Sequence, residues 1–179
     1  ADHPAILNTN TGPVVVWLNL TAGVTQIYAR SFSAGTWSAF GAGAAGGGGI
    51  SASLTSITEF AAATDGTMVA VTWTQVELSG NKRVFLREHS GGTWNELAGS
   101  ATGGGISGAA TFSESPTVAY LAGVPFVAWQ QQRAAETLYS DIYVARFAAG
   151  SWSAAGAGAL SPGGVSNSTG KAVQPVLAS

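Results

Sequence analysis

Short apolar segments separated by turn residues run along the whole chain. The segments are rich in Val, Ile, Tyr, Phe and Trp and are bounded by Gly, Asn, Asp and Ser, which is the pattern of β-strands. The helical period of apolar residues is almost absent. The region 116–155 shows the order most clearly, and we predict four antiparallel strands in it, at 116–120, 124–131, 141–147 and 152–155.

Tryptophan marks a threefold repeat of this pattern. One series recurs every 56 residues, and a second recurs at steps of 57 and 58. The first series is Trp17, Trp73 and Trp129, and the second is Trp37, Trp94 and Trp152. Such self-similarity is typical of stacked folds in which no unit buries its apolar face alone. We expect the first series in equivalent buried positions on the second strand of each unit.

Four strands per unit, joined to the next unit by one long Gly-rich connection, is the arrangement of a β-propeller blade. We therefore predict an all-β fold in a single repeat domain over residues 1–179. It would contain three four-stranded antiparallel propeller-type blades, at about 3–40, 57–98 and 114–156. A Gly-x-Gly-x-x-Gly string at 41–46 is not followed by a helix, so it predicts no nucleotide cofactor.

The C-terminal segment repeats the first-strand pattern and predicts an extra strand at about 172–178, without a blade of its own. Three blades leave two end faces uncovered, whereas closed propellers have about four to eight. Uncovered apolar faces and a free strand edge favour pairing with another chain. Val173, Pro175, Val176 and Leu177 are the candidate assembly strand. A ring of about six blades, a filament and a section of a longer propeller remain open alternatives.

Composition limits the partners. Only 9% of the residues are charged, against roughly 25% in average soluble domains, which favours a well-packed chain or an assembly, secreted or at the cell surface. The seven basic residues are scattered and the net charge is −2, so a nucleic acid partner is not expected. No apolar run reaches the ~20 residues that membrane insertion requires.

No catalytic constellation can be named from the sequence. The acidic residues do not recur in register, so they predict neither a calcium loop nor a glycosidase pair. His89 occupies the place that Phe32 and Phe147 take in the other repeats, so we interpret it as an aromatic strand residue rather than a base. We predict no enzyme activity, no metal site and no cofactor.

One polar feature does recur, an arginine upstream of each tryptophan of the second series. The candidate ligand-binding residues are therefore Arg30, Trp37, Arg87, Trp94, Arg146 and Trp152. They could form a repeated sugar site, with an aromatic platform and a bidentate donor. The favoured alternative is structural, with the tryptophans packed between blades. Arg146 is shifted by one residue relative to its tryptophan, so the three arginines need not be equivalent.

Each repeat unit has the pattern Pro-x-Val-Ala, turn, Val-Ala-Trp, Ile-Tyr-x-x-Arg, Gly-[Thr/Ser]-Trp, Gly-Gly-[Ile/Val]-Ser. This unit resembles repeats of secreted bacterial β-propellers of the sialidase-like and fucose-lectin-like kinds. The resemblance implies an extracellular ring protein that often binds glycans. The stretch 33–37 lacks the Asp of the Ser-x-Asp-x-Gly-x-Thr-Trp box that sialidase-type blades carry. Low charge and a set of blades too small to close lead us to expect a non-catalytic, self-associating structural subunit of a surface assembly. The alternatives are a glycan-binding lectin and, less favoured, a glycosidase relative.

Overall fold

A computed structural model describes residues 4–108 and 112–178 of the protein. These residues form twelve β-strands and no helix. Blade 1 consists of β1 (Ala5–Thr9), β2 (Gly12–Thr21), β3 (Val24–Ser33) and β4 (Thr36–Ala39). Blade 2 consists of β5 (Ile57–Thr64), β6 (Val69–Val76), β7 (Lys82–Ser90) and β8 (Thr93–Asn95). Blade 3 consists of β9 (Ser113–Leu121), β10 (Val124–Gln132), β11 (Ser140–Ala148) and β12 (Ser151–Ala154).

Each blade is one antiparallel sheet in which neighbours in the chain are neighbours in space. The register repeats between blades, because the first-series tryptophan always pairs with an aromatic residue on the third strand. The three pairs are Trp17 with Tyr28, Trp73 with Phe85 and Trp129 with Tyr143. In all three the rings are stacked, with centroids 6.0 or 6.1 Å apart. The predicted all-β fold of three four-stranded propeller-type blades is confirmed.

The predicted extra strand is wrong, because residues 171–178 form no strand ladder. The segment is instead held by isolated bonds to blade 3. Ala172 N donates to Ser140 O at 2.9 Å, and Leu177 N donates to Thr117 Oγ1 at 3.4 Å. It lies across one face of the sheet rather than beside an edge strand, so its backbone groups have no neighbouring strand with which to form a ladder. We call residues 171–178 the tail.

Alternating side chains give each blade two faces. We call the face with the first-series tryptophan the front face and the opposite one the back face. The front face of blade 2 packs on the back face of blade 1, with Val69, Val71 and Trp73 in one cluster with Val14 and Val16. Blade 3 packs in the same way on the back face of blade 2. The blades therefore stack in one direction, front face on back face.

The middle blade shows the effect of this stacking on burial. Six consecutive residues of β6, from Val69 to Thr74, are buried, because both faces of the strand are covered. In β2, burial alternates between Val14 and Leu18, because only the back face of blade 1 is covered. Trp17 is consequently half-buried, while Trp73 and Trp129 are each 1% exposed. The expectation that all three are equally buried is therefore wrong for Trp17.

The connection that leaves each blade is fixed by glycine. Gly49, Gly105 and Gly164 have φ between +55° and +61°, and a Cβ at each would collide with a carbonyl oxygen of the third strand. The residue after each glycine donates its N–H to that same carbonyl, at 2.7 to 2.8 Å. Only glycine tolerates both the backbone conformation and this close approach. The connection is thereby held against the third strand of its own blade.

Replacing Trp73 with Ala should lower the free energy of unfolding by about 3 to 5 kcal/mol, because the buried indole leaves a cavity between blades 1 and 2. The matched variant Trp17→Ala should cost less, since the Trp17 ring is half exposed on an uncovered face. Denaturant unfolding followed by circular dichroism measures both losses. Equal losses at the two positions would contradict the stacking direction.

Candidate functional site

The second tryptophan series links each blade to the one before it. Trp94 of blade 2 donates its Nε1–H to the carbonyl oxygen of Phe40 at 2.7 Å. Trp152 of blade 3 donates in the same way to the carbonyl oxygen of Leu97 at 2.8 Å. Phe40 and Leu97 each lie three residues after the second-series tryptophan of their own blade. The bond is thus a repeated, directional contact between a front face and the preceding blade.

Trp37 is the member of this series for which the described residues contain no preceding blade. Its side chain is 46% exposed, and the ring rests on Phe32 with the centroids 5.2 Å apart. No hydrogen bond of its indole nitrogen occurs in residues 4–108 and 112–178. At the other end of the stack, Ala155 occupies the place in blade 3 that Phe40 and Leu97 take in their blades. The donor and the matching acceptor position are therefore both present, at opposite ends of one chain.

Large apolar side chains are exposed at both ends of the stack. On the front face of blade 1, Ile6 lies opposite Val15 in the sheet and is 74% exposed. At the back of blade 3, Val165 is 53% exposed and Val176 of the tail is 85% exposed. In the middle of the stack the equivalent residue of Val165 is Ile106, which packs into the cluster between blades 2 and 3. Apolar positions that are covered by a neighbouring blade inside the stack are therefore exposed at its two ends.

The three candidate arginines do not lie in equivalent places. Arg30 and Arg87 pair with Val15 and Val71, which puts both on front faces together with Trp37 and Trp94. Arg146 pairs with Phe126 and lies on the back face of blade 3, opposite to Trp152. Arg30 and Arg146 are exposed, whereas Arg87 is half-buried between blades 1 and 2. The structure brings an arginine and a tryptophan to one face in two blades, and the predicted sugar site stays a prediction.

His89 contributes to the contact between blades 1 and 2. Its ring centroid lies 3.9 Å from that of Phe40 and 5.4 Å from that of Trp94. It stands opposite Trp94 in the sheet, as Phe32 stands opposite Trp37 and Phe147 opposite Trp152. The interpretation of His89 as an aromatic strand residue is confirmed. Burial at this contact lowers the pKa of His89 below its ordinary value of 6.5.

A polar contact accompanies the apolar packing between blades 2 and 3. Tyr120 of blade 3 donates its hydroxyl hydrogen to Glu88 Oε2 of blade 2 at 2.7 Å, and both residues are buried. Burial, and secondarily the bond to Glu88, raise the pKa of Tyr120 far above its ordinary value. The tyrosine is therefore a neutral donor at all physiological pH values, and this bond helps to fix the register of the two blades.

Every carboxylate of the described residues has a hydrogen-bond or ion-pair partner in the fold. These carboxylates are Glu59, Asp65, Glu77, Glu88, Glu96, Glu114, Glu136 and Asp141. Buried Asp141 accepts two hydrogen bonds from Arg133, at 2.8 and 2.9 Å, and this contact holds the pKa of Asp141 below its usual range. No group of three or more potential metal ligands occurs among them or the described histidine. The absence of enzyme activity stays a prediction.

The described residues include no helix that is long and apolar enough to cross a membrane.

The sequence missed one half of the interblade contact. The tryptophan donors stand out by their period, but the acceptors are main-chain carbonyls at Phe40 and Leu97, and a carbonyl oxygen has no residue-type signature. Their constant distance of three residues from the tryptophans is the signal that could have located them.

Comparisons with known proteins identify no family. No family model matches the chain, and no curated protein matches it. Among solved structures, a fucose lectin from Kordia zhangzhouensis in complex with methyl-fucoside is 12% identical, with a TM-score of 0.49 over 87% of this chain and 98% of that one. A thermostable family-43 glycoside hydrolase is 11% identical, with a TM-score of 0.48 over 86% of this chain and 53% of that one.

A glycosyl hydrolase from Bacteroides ovatus is 14% identical, with a TM-score of 0.41 over 83% of this chain and 48% of that chain. This chain therefore spans about half the length of the two hydrolases. Similarity at this level carries no argument about a ligand or an activity.

Replacing Trp94 with Phe should lower the free energy of unfolding by about 1 to 3 kcal/mol, because the Phe40 carbonyl loses its donor inside the interface. The matched variant Trp37→Phe should have almost no effect on a single copy, since the Trp37 indole makes no such bond. Urea unfolding of the two variants measures the difference, and a similar cost at both positions would contradict the role of the bond.

Replacing His89 with Phe should remove part of the acid sensitivity of the fold. Because the folded-state pKa of His89 is lowered, the unfolded chain binds a proton that the folded chain does not as the pH falls through 6.5. The wild type should therefore lose up to about 1.4 kcal/mol per pH unit below that point. Urea unfolding between pH 8 and about pH 5 should give a flatter curve for His89→Phe. Parallel curves would show that His89 does not carry the effect.

Proposed function

We propose that this chain is a self-associating structural module, in which the front face of blade 1 of one copy docks on the back face of blade 3 of another. The copies would add blades in the direction already established inside the chain. In this proposal the module binds other copies and catalyses no reaction. Its action outside the cell is a sequence-based expectation from its composition, with 9% charged residues.

The observation that carries this proposal is the unmatched Trp37. The same bond from a tryptophan to the preceding blade occurs at both internal interfaces, at 2.7 and 2.8 Å. Trp37 occupies the equivalent position and is 46% exposed. Ala155 of a second copy offers the acceptor position that corresponds to Phe40 and Leu97. A second copy can therefore dock on this face through the same tryptophan-to-carbonyl bond that occurs at both interfaces inside the chain.

The apolar surface of the two ends supports the same partner. Ile6 and Trp37 are exposed at one end, and Val165 and Val176 at the other. Exposed apolar surface of this kind marks interaction sites in soluble proteins. A head-to-tail contact between two different faces forms a ring when its rotation closes and a filament when it does not. Two copies would give six blades, within the usual range of about four to eight for closed propellers.

The tail belongs to the acceptor face. Ala172 and Leu177 are bonded to back-face residues of blade 3, Ser140 and Thr117. Val173 and Val176 are exposed and available to an incoming blade. We therefore keep Val173, Pro175, Val176 and Leu177 as the assembly segment, acting as a surface rather than as a paired strand.

Light scattering coupled to size-exclusion chromatography tests the proposal. The mass should rise with concentration above the 17.9 kDa of one copy. Trp37→Ala should weaken the association by about 2 kcal/mol or more, as expected for a central aromatic contact. The matched control is Leu78→Ala, an exposed apolar residue between β6 and β7 of the middle blade, which should leave the association unchanged.

Deleting residues 172–179 tests the tail separately and should weaken association without unfolding the blades. A wild-type protein that keeps the 17.9 kDa mass of one copy at every concentration would refute self-association.

Glycan binding is the second candidate, because Arg30 and Trp37 are both exposed on the front face of blade 1. An aromatic ring beside a planar guanidinium is suited to a sugar ring and its hydroxyl groups. A glycan array probed with the wild type and with Arg30→Ala separates the two functions. Saturable binding that Arg30→Ala abolishes, in a protein that stays monomeric, would favour the sugar.

A further inference from the structure

A cleft of about 560 Å³ opens between the connection that follows blade 1 and the front face of blade 2. Residues 51–55 form one wall, and Gln75, Phe85 and Arg87 lie on the other. The cleft lies within a single copy, so it does not depend on the association proposed above. No equivalent of its arginine exists at the next interface, where Ala145 takes the place of Arg87.

Apart from Arg83 Nε, which is ion-paired with Glu77, two side-chain donors on this side of blade 2 are buried with no partner in the described residues. The Nε–H of Arg87 is buried and makes no hydrogen bond. The Nε1–H of Trp73, which stacks on Phe85, is also buried without an acceptor. In blade 3 the equivalent Trp129 donates to Gln131 Oε1 at 3.1 Å. A buried donor without an acceptor costs about 1 to 3 kcal/mol, so two in one place need an explanation.

The charges of the cleft leave Arg87 uncompensated. Among the residues that the structure describes, Glu77 is the one acidic residue that lines the cleft. It lies 2.6 Å from Arg83 Nε, in an ion pair in which the N–H does not point at the oxygen. The negative charge of Glu77 is therefore already paired with Arg83, and Arg87 has no carboxylate of its own in the cleft. A half-buried guanidinium without its own carboxylate is less stable than a paired one, because burial removes part of its hydration.

We infer that this cleft binds a small carboxylate whose body is apolar. The carboxylate would accept hydrogen bonds from the Arg87 guanidinium, the group best suited to hold both oxygens at once. The Gln75 amide lies in the same wall of the cleft and supplies a further donor to the same anion.

The residues at the rim of the cleft are the reason why the body of the ligand should be apolar. Leu54 and Leu78 line the cleft and are almost fully exposed, and Phe85 lies in its wall. Exposed leucines on two sides of one opening would cover a short aliphatic chain and thereby lose contact with water. A free inorganic anion would use the arginine but not the leucines. The site therefore selects an organic acid over phosphate or sulfate.

Titration with hexanoate tests the inference, with hexanamide as the neutral control of nearly the same shape. Two-dimensional ¹H–¹⁵N spectra resolve the Trp73 indole and the Arg87 Nε–H, so the binding place is read directly. Hexanoate should shift both signals saturably, and hexanamide should not. Arg87→Gln should weaken hexanoate binding at least about tenfold, as expected for loss of a charge-assisted bond.

Arg30→Gln is the matched control, because Arg30 occupies the same position on blade 1 and is exposed. It should bind hexanoate as the wild type does. If Arg87→Gln fails to fold, Gln75→Met keeps the volume of the cleft wall, removes a donor and should weaken binding several-fold. The absence of saturable shifts in the wild type, equal shifts with hexanamide, or full binding by the folded Arg87→Gln variant would each overturn the proposal.

Discussion

The burial of one blade face by the next blade is the constraint on which the rest of this structure depends. A four-stranded sheet has two apolar faces, and a single blade has nothing of its own to cover them. The middle blade is covered on both sides, and six consecutive residues of β6 are buried as a result. Each end blade is covered on one side. The half-buried Trp17, the exposed Trp37 and the exposed Val165 are the direct consequence.

Apolar packing alone would let two flat sheets slide, and directional contacts prevent it. The bonds from Trp94 and Trp152 to carbonyls of the preceding blade each have one geometry that satisfies them. Tyr120 and Glu88 add a buried bond between blades 2 and 3. Each of these groups would be costly to leave unpaired inside the interface, so a shifted register is penalised. The same reasoning makes the exposed Trp37 selective for a partner with a suitably placed carbonyl oxygen.

The sequence was sufficient to predict strands, blades and their order, because period and turn residues are local signals. The period of Trp17, Trp73 and Trp129 correctly gave their common place on the second strand. The period could not predict how deeply each tryptophan is buried, since burial depends on whether another blade covers the front face. The sequence wrongly predicts a strand in the tail for a similar reason. The alternation of apolar and polar residues in the tail fits a strand, but a strand also needs a neighbouring strand with free backbone groups, and the sequence pattern does not show whether one is present.

Functional differences in a repeat fold are expected where the repeats depart from each other, since the shared positions are already needed for stacking. Three departures coincide at the contact between blades 1 and 2. His89 replaces the phenylalanine of its sister blades, Arg87 stands where blade 3 has an alanine, and Trp73 lacks the bond that Trp129 makes. Each introduces an ionisable group or an unpaired donor into an interface that packing alone would keep apolar. The packing of His89 on Phe40 and Trp94 accounts for the first of these departures. Of the three residues Arg87 lines the cleft, and packing does not explain its unpaired buried donor, whereas a ligand would.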